Sequence, residues 1–129
     1  MKGVRTARYT WNHFERDCSK LTRKIRAQEK KQGFSFRRVY GVPRGGLPLA
    51  VCLSHDLLID LVLELPTKFD RELIICDEIA DTGRTLRPLK KAGYFIVTIH
   101  KHSQSITEPN IWLREKPDHT WVVYPWEAQ

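Results

Sequence analysis

Three carboxylates, Asp77, Glu78 and Asp81, fall within five positions and run straight into Thr82, Gly83, Arg84 and Thr85. An apolar run, 73–76, precedes them. The chain has 22 Lys and Arg against 15 Asp and Glu, a net charge of +7, so a cluster of acids needs a reason. Carboxylates repel phosphate, but they accept hydrogen bonds from sugar hydroxyls or hold a divalent cation that touches phosphate in turn. The residues that follow are donors. Hydroxyls and backbone N–H groups at a helix start can surround one phosphate, helped by the positive end of the helix dipole. Gly83 permits the tight turn. A sugar and cation site beside a monophosphate site suits a ribose 5-phosphate. The plainer reading is a surface loop with an N-capped helix, where acids gather for dipole reasons.

Such a site needs elements that hold it. Residues 10–31 read as an amphipathic helix capped by Thr10 or Asn12, with Gly33 past its end. RRVYGV reads as a short strand, and PRGG as a turn into an apolar helix near 47–56. LIDLVLEL, 58–65, fits either a strand or more of that helix, and Pro66 stops it. ELIICDE reads as a buried strand. GRTLRPLKKAGY reads as a helix that tolerates Pro88 in its first turn and ends at Gly93. FIVTIHK is a further strand, and WLREKPDHTWVVYPWEAQ a strand and a tail. The alternation predicts an α/β fold: an open, mainly parallel sheet flanked by helices. Ligands bind such sheets beyond the C-terminal ends of the strands. The length, 129 residues, predicts a single domain, 1–129.

Composition narrows the classes. No apolar run approaches the roughly 20 residues of a membrane helix. The basic N-terminus lacks the apolar core of a secretory signal. Three cysteines, Cys18, Cys52 and Cys76, with no CxxC pair, argue for reduced thiols and a cytoplasmic protein rather than a disulfide framework or a zinc site. The basic excess suggests anionic partners, either phosphorylated metabolites or nucleic acid. For residues 20–32 a solvated helix face explains the charge more simply.

LIICDEIADTGRT resembles the binding signature of the type I phosphoribosyltransferases. VYGVPRGGLPLA resembles the family's pyrophosphate loop, and DHTWVVYPWE the purine-binding end of the xanthine-guanine branch. TIHK is similar to the strand that ends in the base-binding lysine, and YTWNHFERDCSKLTRKI to the opening Trp-containing helix. The likeness runs in order from about residue 9 to 127. It implies transfer of ribose 5-phosphate from phosphoribosyl pyrophosphate to guanine, xanthine or hypoxanthine, with Mg2+ as cofactor and pyrophosphate released. It also implies a small C-terminal hood over the base and a dimer or tetramer of identical chains.

Roles follow from the resemblance residue by residue. Asp77 and Glu78 bind the ribose hydroxyls and magnesium. Asp81 sits near purine N7 as general base and opens the 5-phosphate loop, which Thr82, Gly83, Arg84 and Thr85 complete. Arg44 and Gly45 take pyrophosphate in a turn that often holds a cis peptide. Lys101 donates to the purine O6, Trp121 stacks on the ring, Val122 offers backbone groups, and Glu127 supports a second magnesium. Glu78 and Glu127 stand where relatives usually carry Asp. Relatives also carry a long lid loop where this chain has only residues 66–72, so weaker water exclusion is expected, or a cover from another subunit or the C-terminal segment. No histidine receives a catalytic role; His100 and His102 are taken to point apart and so to make a poor metal pair. Two alternatives stay open: a non-catalytic regulator that senses phosphoribosyl pyrophosphate and binds nucleic acid, and a transferase for another nitrogen base.

Overall fold

The computed structural model describes residues 4–127. Five strands form one parallel sheet: β2 (Arg38–Gly41), β3 (Asp60–Val62), β4 (Leu73–Ala80), β5 (Phe95–His102) and β6 (Arg114–Lys116), in the order β3-β2-β4-β5-β6. β4 lies at the centre. Its first half, Leu73, Ile74, Ile75 and Cys76, is buried on both faces, which explains the unbroken apolar run. Helices α1 (Trp11–Gln32) and α2 (Leu47–Leu57) cover one face through Leu21, Ile25, Leu49 and Leu53. The short α3 (Arg87–Lys91) covers the other, with Leu86, Tyr94 and Ile96.

The local signals read well at the helix ends. Thr10 Oγ1 accepts from His13 N at 3.1 Å, and His13 Nδ1 accepts from Thr10 N at 3.1 Å, a reciprocal cap. Gly33, at φ 84°, ends α1 with a left-handed turn. Leu58 takes the same conformation at φ 56° and stops α2, so the ambiguous 58–65 segment becomes the short edge strand β3. In place of a lid, residues 66–72 are fastened down: Asp70 pairs with Arg38 at 2.6 Å, and Phe69 packs on Tyr94.

Two expectations change. The segment after β5 carries two strands, and the last, β7 (Thr120–Val123), leaves the main sheet to pair in parallel with β1 (Arg5–Arg8). The hood is therefore built from both ends of the chain. β1 reads only as a basic N-terminus in sequence, because four exposed residues of an isolated pair carry no burial pattern. The second change is α3, which begins at Arg87 rather than at Gly83.

A buried acid joins hood to sheet. Asp17, on the inner face of α1, is 1% exposed. It accepts from Tyr9 Oη at 2.6 Å and from Arg114 at 2.7 and 3.2 Å. Burial alone raises its pKa, but the hydrogen bonds from Arg114 and Tyr9 outweigh that and leave the carboxyl below its usual value. Asp17→Asn removes the charge and strands Arg114. Breaking a buried pair costs ~3–5 kcal/mol, and the partial exposure of Arg114 reduces this to about 2 kcal/mol. Denaturant titration of the variant is the check; a stability equal to the parent's would remove Asp17 as the joint.

Candidate active site

The turn after β2, residues 42–46, is the first wall of the site. Val42 N donates to Cys76 O at 2.9 Å and Gly46 N to Val42 O at 2.8 Å, which ties the turn to β4. The Pro43–Arg44 peptide is cis, as the resemblance implied. A side chain at Gly45 would run into the carboxylate of Glu78, and one at Gly46 would press on Cys76 O at 2.7 Å. The Arg-Gly-Gly sequence thus follows from a close approach between the turn and the acid-bearing strand.

The second wall is β4. Asp77 and Glu78 stand within this strand, which runs on to Ala80. Asp77 Oδ1 accepts from Glu78 N at 2.8 Å. Burial, followed by repulsion from Glu78, pushes the Asp77 carboxyl up to about 8. Glu78 is raised too, chiefly by burial, with repulsion from Glu127 adding and a hydrogen bond from Trp126 Nε1 at 3.3 Å opposing. Two half-buried acids that cannot both carry charge cheaply suit a hard cation, whose charge replaces the proton. Among the described residues no three His, Cys, Asp or Glu groups form a complete metal cage. An ion at Asp77 and Glu78 would take its remaining ligands from substrate oxygens and water.

The hood closes the space. Arg44, Gly45, Glu78, Trp121, Trp126 and Glu127 line one open cavity of about 710 Å³. Trp121 is 59% exposed to it, while Val122 is buried beneath. Tyr124 holds the hood in place, donating to Glu78 O at 3.3 Å and meeting His100 Nδ1 at 2.8 Å. Burial pushes the His100 pKa down to about 4, so the ring is neutral.

Beyond β4, residues 81–86 form the loop assigned to phosphate. Gly83 has φ 83° and packs so closely on Ser105, Ile106 and Thr107 that no side chain fits. Ile106 N donates to Thr82 O at 2.9 Å and Thr107 Oγ1 to Gly83 O at 2.6 Å, leaving Thr82, Arg84 and Thr85 exposed. The expected helix dipole contributes little here, because α3 has only five residues and starts after the loop. The available donors are the loop's own N–H groups, hydroxyls and guanidinium.

Lys101 is not brought to the other predicted groups. Its Nζ pairs with Glu108 at 3.0 Å and lies 5.4 Å from the Trp112 ring. Asp81 instead meets Lys116 Nζ at 3.0 Å, with His102 Nδ1 at 3.8 Å. Strand alternation is the reason: residues two apart share a face and the one between opposes them. His100 and His102 therefore point to the same side, contrary to expectation, though each is occupied, by Tyr124 and Asp118 respectively. Trp126 and Tyr124 escaped the sequence reading although they lie in the quoted C-terminal motif; Lys116 had no signal until β6 was known. The acid pair yields a test. Asp77 binds a proton in the fold that the unfolded chain releases, so stability falls as pH rises from the ordinary carboxylate range towards about 8. Asp77→Asn should raise melting temperature at neutral pH and flatten this decline; a variant that loses stability in parallel with the parent would contradict the raised value.

No protein-family model matches the sequence. The chain is 24% identical to a xanthine-guanine phosphoribosyltransferase of Cereibacter sphaeroides, over 92% of this chain and 84% of that protein. Its fold matches a purine phosphoribosyltransferase of Pyrococcus horikoshii with a TM-score of 0.78, at 26% identity, over 98% of this chain and 96% of the other. A xanthine-guanine-hypoxanthine phosphoribosyltransferase of Helicobacter pylori matches with a TM-score of 0.79, at 19% identity, over 95% and 94% of the two chains. The Arg-Gly-Gly turn, Glu78 and the hood tryptophans around one cavity accompany this likeness to purine phosphoribosyltransferases.

Proposed function

We propose that the protein transfers ribose 5-phosphate from phosphoribosyl pyrophosphate to guanine, xanthine or hypoxanthine and releases pyrophosphate. The observation that carries this reading is the single cavity shared by Arg44, Gly45, Glu78 and Trp121. It offers a cation and backbone N–H groups for the leaving group, acids for the sugar and an exposed indole for a flat base.

Arg44 and the Gly45 N–H bind the pyrophosphate and stabilise the charge that grows on it. Asp77 and Glu78 accept from the ribose hydroxyls. The loop from Thr82 to Thr85 holds the 5-phosphate, which fixes C1′ relative to the base. The bond from C1′ to pyrophosphate breaks and its electron pair leaves with the oxygen. The purine N9 lone pair forms the new bond to C1′, and the N7 proton passes to the Asp81 carboxylate. Trp121 stacks on the ring and sets its plane, and Val122 supplies backbone groups to the base edge. Mg2+ fits at Asp77 and Glu78, with Glu127 near enough to Glu78 to assist a second ion; when bound, it neutralises charge on the diphosphate.

Other parts of the reading concern the molecule as a whole. Residues 1–129 act as one phosphoribosyltransferase domain in the cytoplasm, assembled as a homo-oligomer. No helix among the described residues is long and apolar enough to cross a membrane. Nucleic acid has no part in the reaction.

Incubation with phosphoribosyl pyrophosphate, Mg2+ and each purine in turn should yield nucleotide and pyrophosphate in equal amounts. Pyrophosphate release from none of the purines, with salt-dependent binding to RNA or DNA, would replace this reading with a regulatory one. Asp81→Asn should lower kcat about a hundredfold or more while phosphoribosyl pyrophosphate affinity changes little. Equal losses in both would remove the general-base role.

A further inference from the structure

The loop assigned to phosphate has to keep its shape with little helix behind it. α3 has five residues and begins only at Arg87, after residues 82–85. A loop that is loose when empty must be ordered as a ligand binds, and that cost is subtracted from affinity. Contacts from outside the loop therefore decide how well its N–H groups are presented.

Those contacts come from the turn after β5. Ser105 N donates to His102 O at 3.0 Å. Ser105 Oγ donates to Thr107 O at 2.8 Å and accepts from Thr107 N at 3.2 Å, which closes the turn on itself. Two bonds run from it into the loop: Ile106 N to Thr82 O at 2.9 Å, and Thr107 Oγ1 to Gly83 O at 2.6 Å. Gly83 O also accepts from Arg87 N at 3.0 Å, so Thr107 and the start of α3 converge on one oxygen. Gly83 sits hard against the turn; a Cβ there would lie 2.5 Å from Ser105 Oγ and 2.6 Å from Thr107 N. Both carbonyls belong to trans peptides, in which the N–H points away from the C=O. Drawing them towards residues 105–107 turns Gly83 N–H and Arg84 N–H to the other side, where Thr82, Arg84 and Thr85 are exposed. Arg84 N meets Thr82 Oγ1 there at 3.3 Å. Thr107 itself is 2% exposed and does not reach that side.

We infer that Thr107 is a positioning residue for this loop: it holds the Gly83–Arg84 peptide so that the loop's donors face a phosphomonoester before one arrives. The inference rests on the transferase reading, which gives the loop its ligand. It concerns affinity for the phosphate-bearing substrate rather than turnover, because bound phosphate restores the order that the hydroxyl otherwise supplies.

Calorimetry with ribose 5-phosphate needs no turnover and tests the loop directly. Thr107→Val keeps the side-chain shape and removes the donor. It should weaken ribose 5-phosphate binding about fivefold or more and raise KM for phosphoribosyl pyrophosphate by a similar factor. KM for the purine and kcat at saturation should change by less than about twofold. Thr107→Ser restores the hydroxyl and should return both constants to the parent's. Ser105→Ala opens the turn behind Thr107 and serves if the valine variant does not fold; it should move the same two constants the same way, and unchanged constants would overturn the inference. A merely structural role would lower the melting temperature while ribose 5-phosphate binding held, or would worsen every constant together without rescue by serine. Either result overturns the inference, as does a parent that binds no ribose 5-phosphate. A parent that binds ribose 5-phosphate yet forms nucleotide from no purine would instead sink the transferase reading and leave Thr107 to be judged by the binding measurement.

Discussion

A charge that has to be placed inside the protein organises this molecule. Asp17 is almost wholly buried, and an unpaired carboxylate there is not tolerable. Its partners come from distant parts of the chain: Tyr9 just after β1, and Arg114 at the start of β6. Satisfying one acid therefore sets the approach of α1, the sheet edge and the hood. Tyr9 continues the chain of contacts, packing edge-on against Tyr124 and His100. Tyr124 stacks on Trp126, which hydrogen-bonds Glu78. A line of contacts thus leads from the core acid to the carboxylate that faces the cavity.

A second constraint acts at the cavity itself. Gly46 meets the Cys76 carbonyl so closely that no side chain fits between them, and the Glu78 carboxylate lies over the neighbouring Gly45. The turn that carries Arg44 and the strand that carries the acids are consequently locked together before any ligand arrives. The stored cost is electrostatic: Asp77 and Glu78 are crowded and half-buried, and burial and repulsion raise both their pKa values. Neutralising those charges by a cation, or by hydroxyl donors, relieves a tension that the fold maintains. The same arrangement makes the site costly for stability and suited to binding, a common balance at functional sites.

Much of this was legible because it is local. The cap at Thr10, the left-handed turn at Gly33, the apolar run of β4 and the close turn at Gly83 each follow from a few neighbouring residues. The acid pair and the Arg-Gly-Gly turn were recognisable for the same reason. β1 was not, since its four residues are exposed and acquire strand geometry only by pairing with β7 more than a hundred positions away. The start of α3 was misjudged because Gly83 and Thr85 resemble a helix opening, while contacts from residues 105–107 hold them as a loop.

The amino-acid order alone determined the α/β class, the strand that bears the acids and the family resemblance, since periodicity and short motifs are properties of adjacent residues. Only the tertiary structure decided which lysine meets Asp81. Lys101 sits in the motif yet leaves β5 on the wrong face, whereas Lys116 reaches the acid because β6 lies in register beside His102. Side-chain direction in a strand depends on phase and partner, and neither is written in the residues next door.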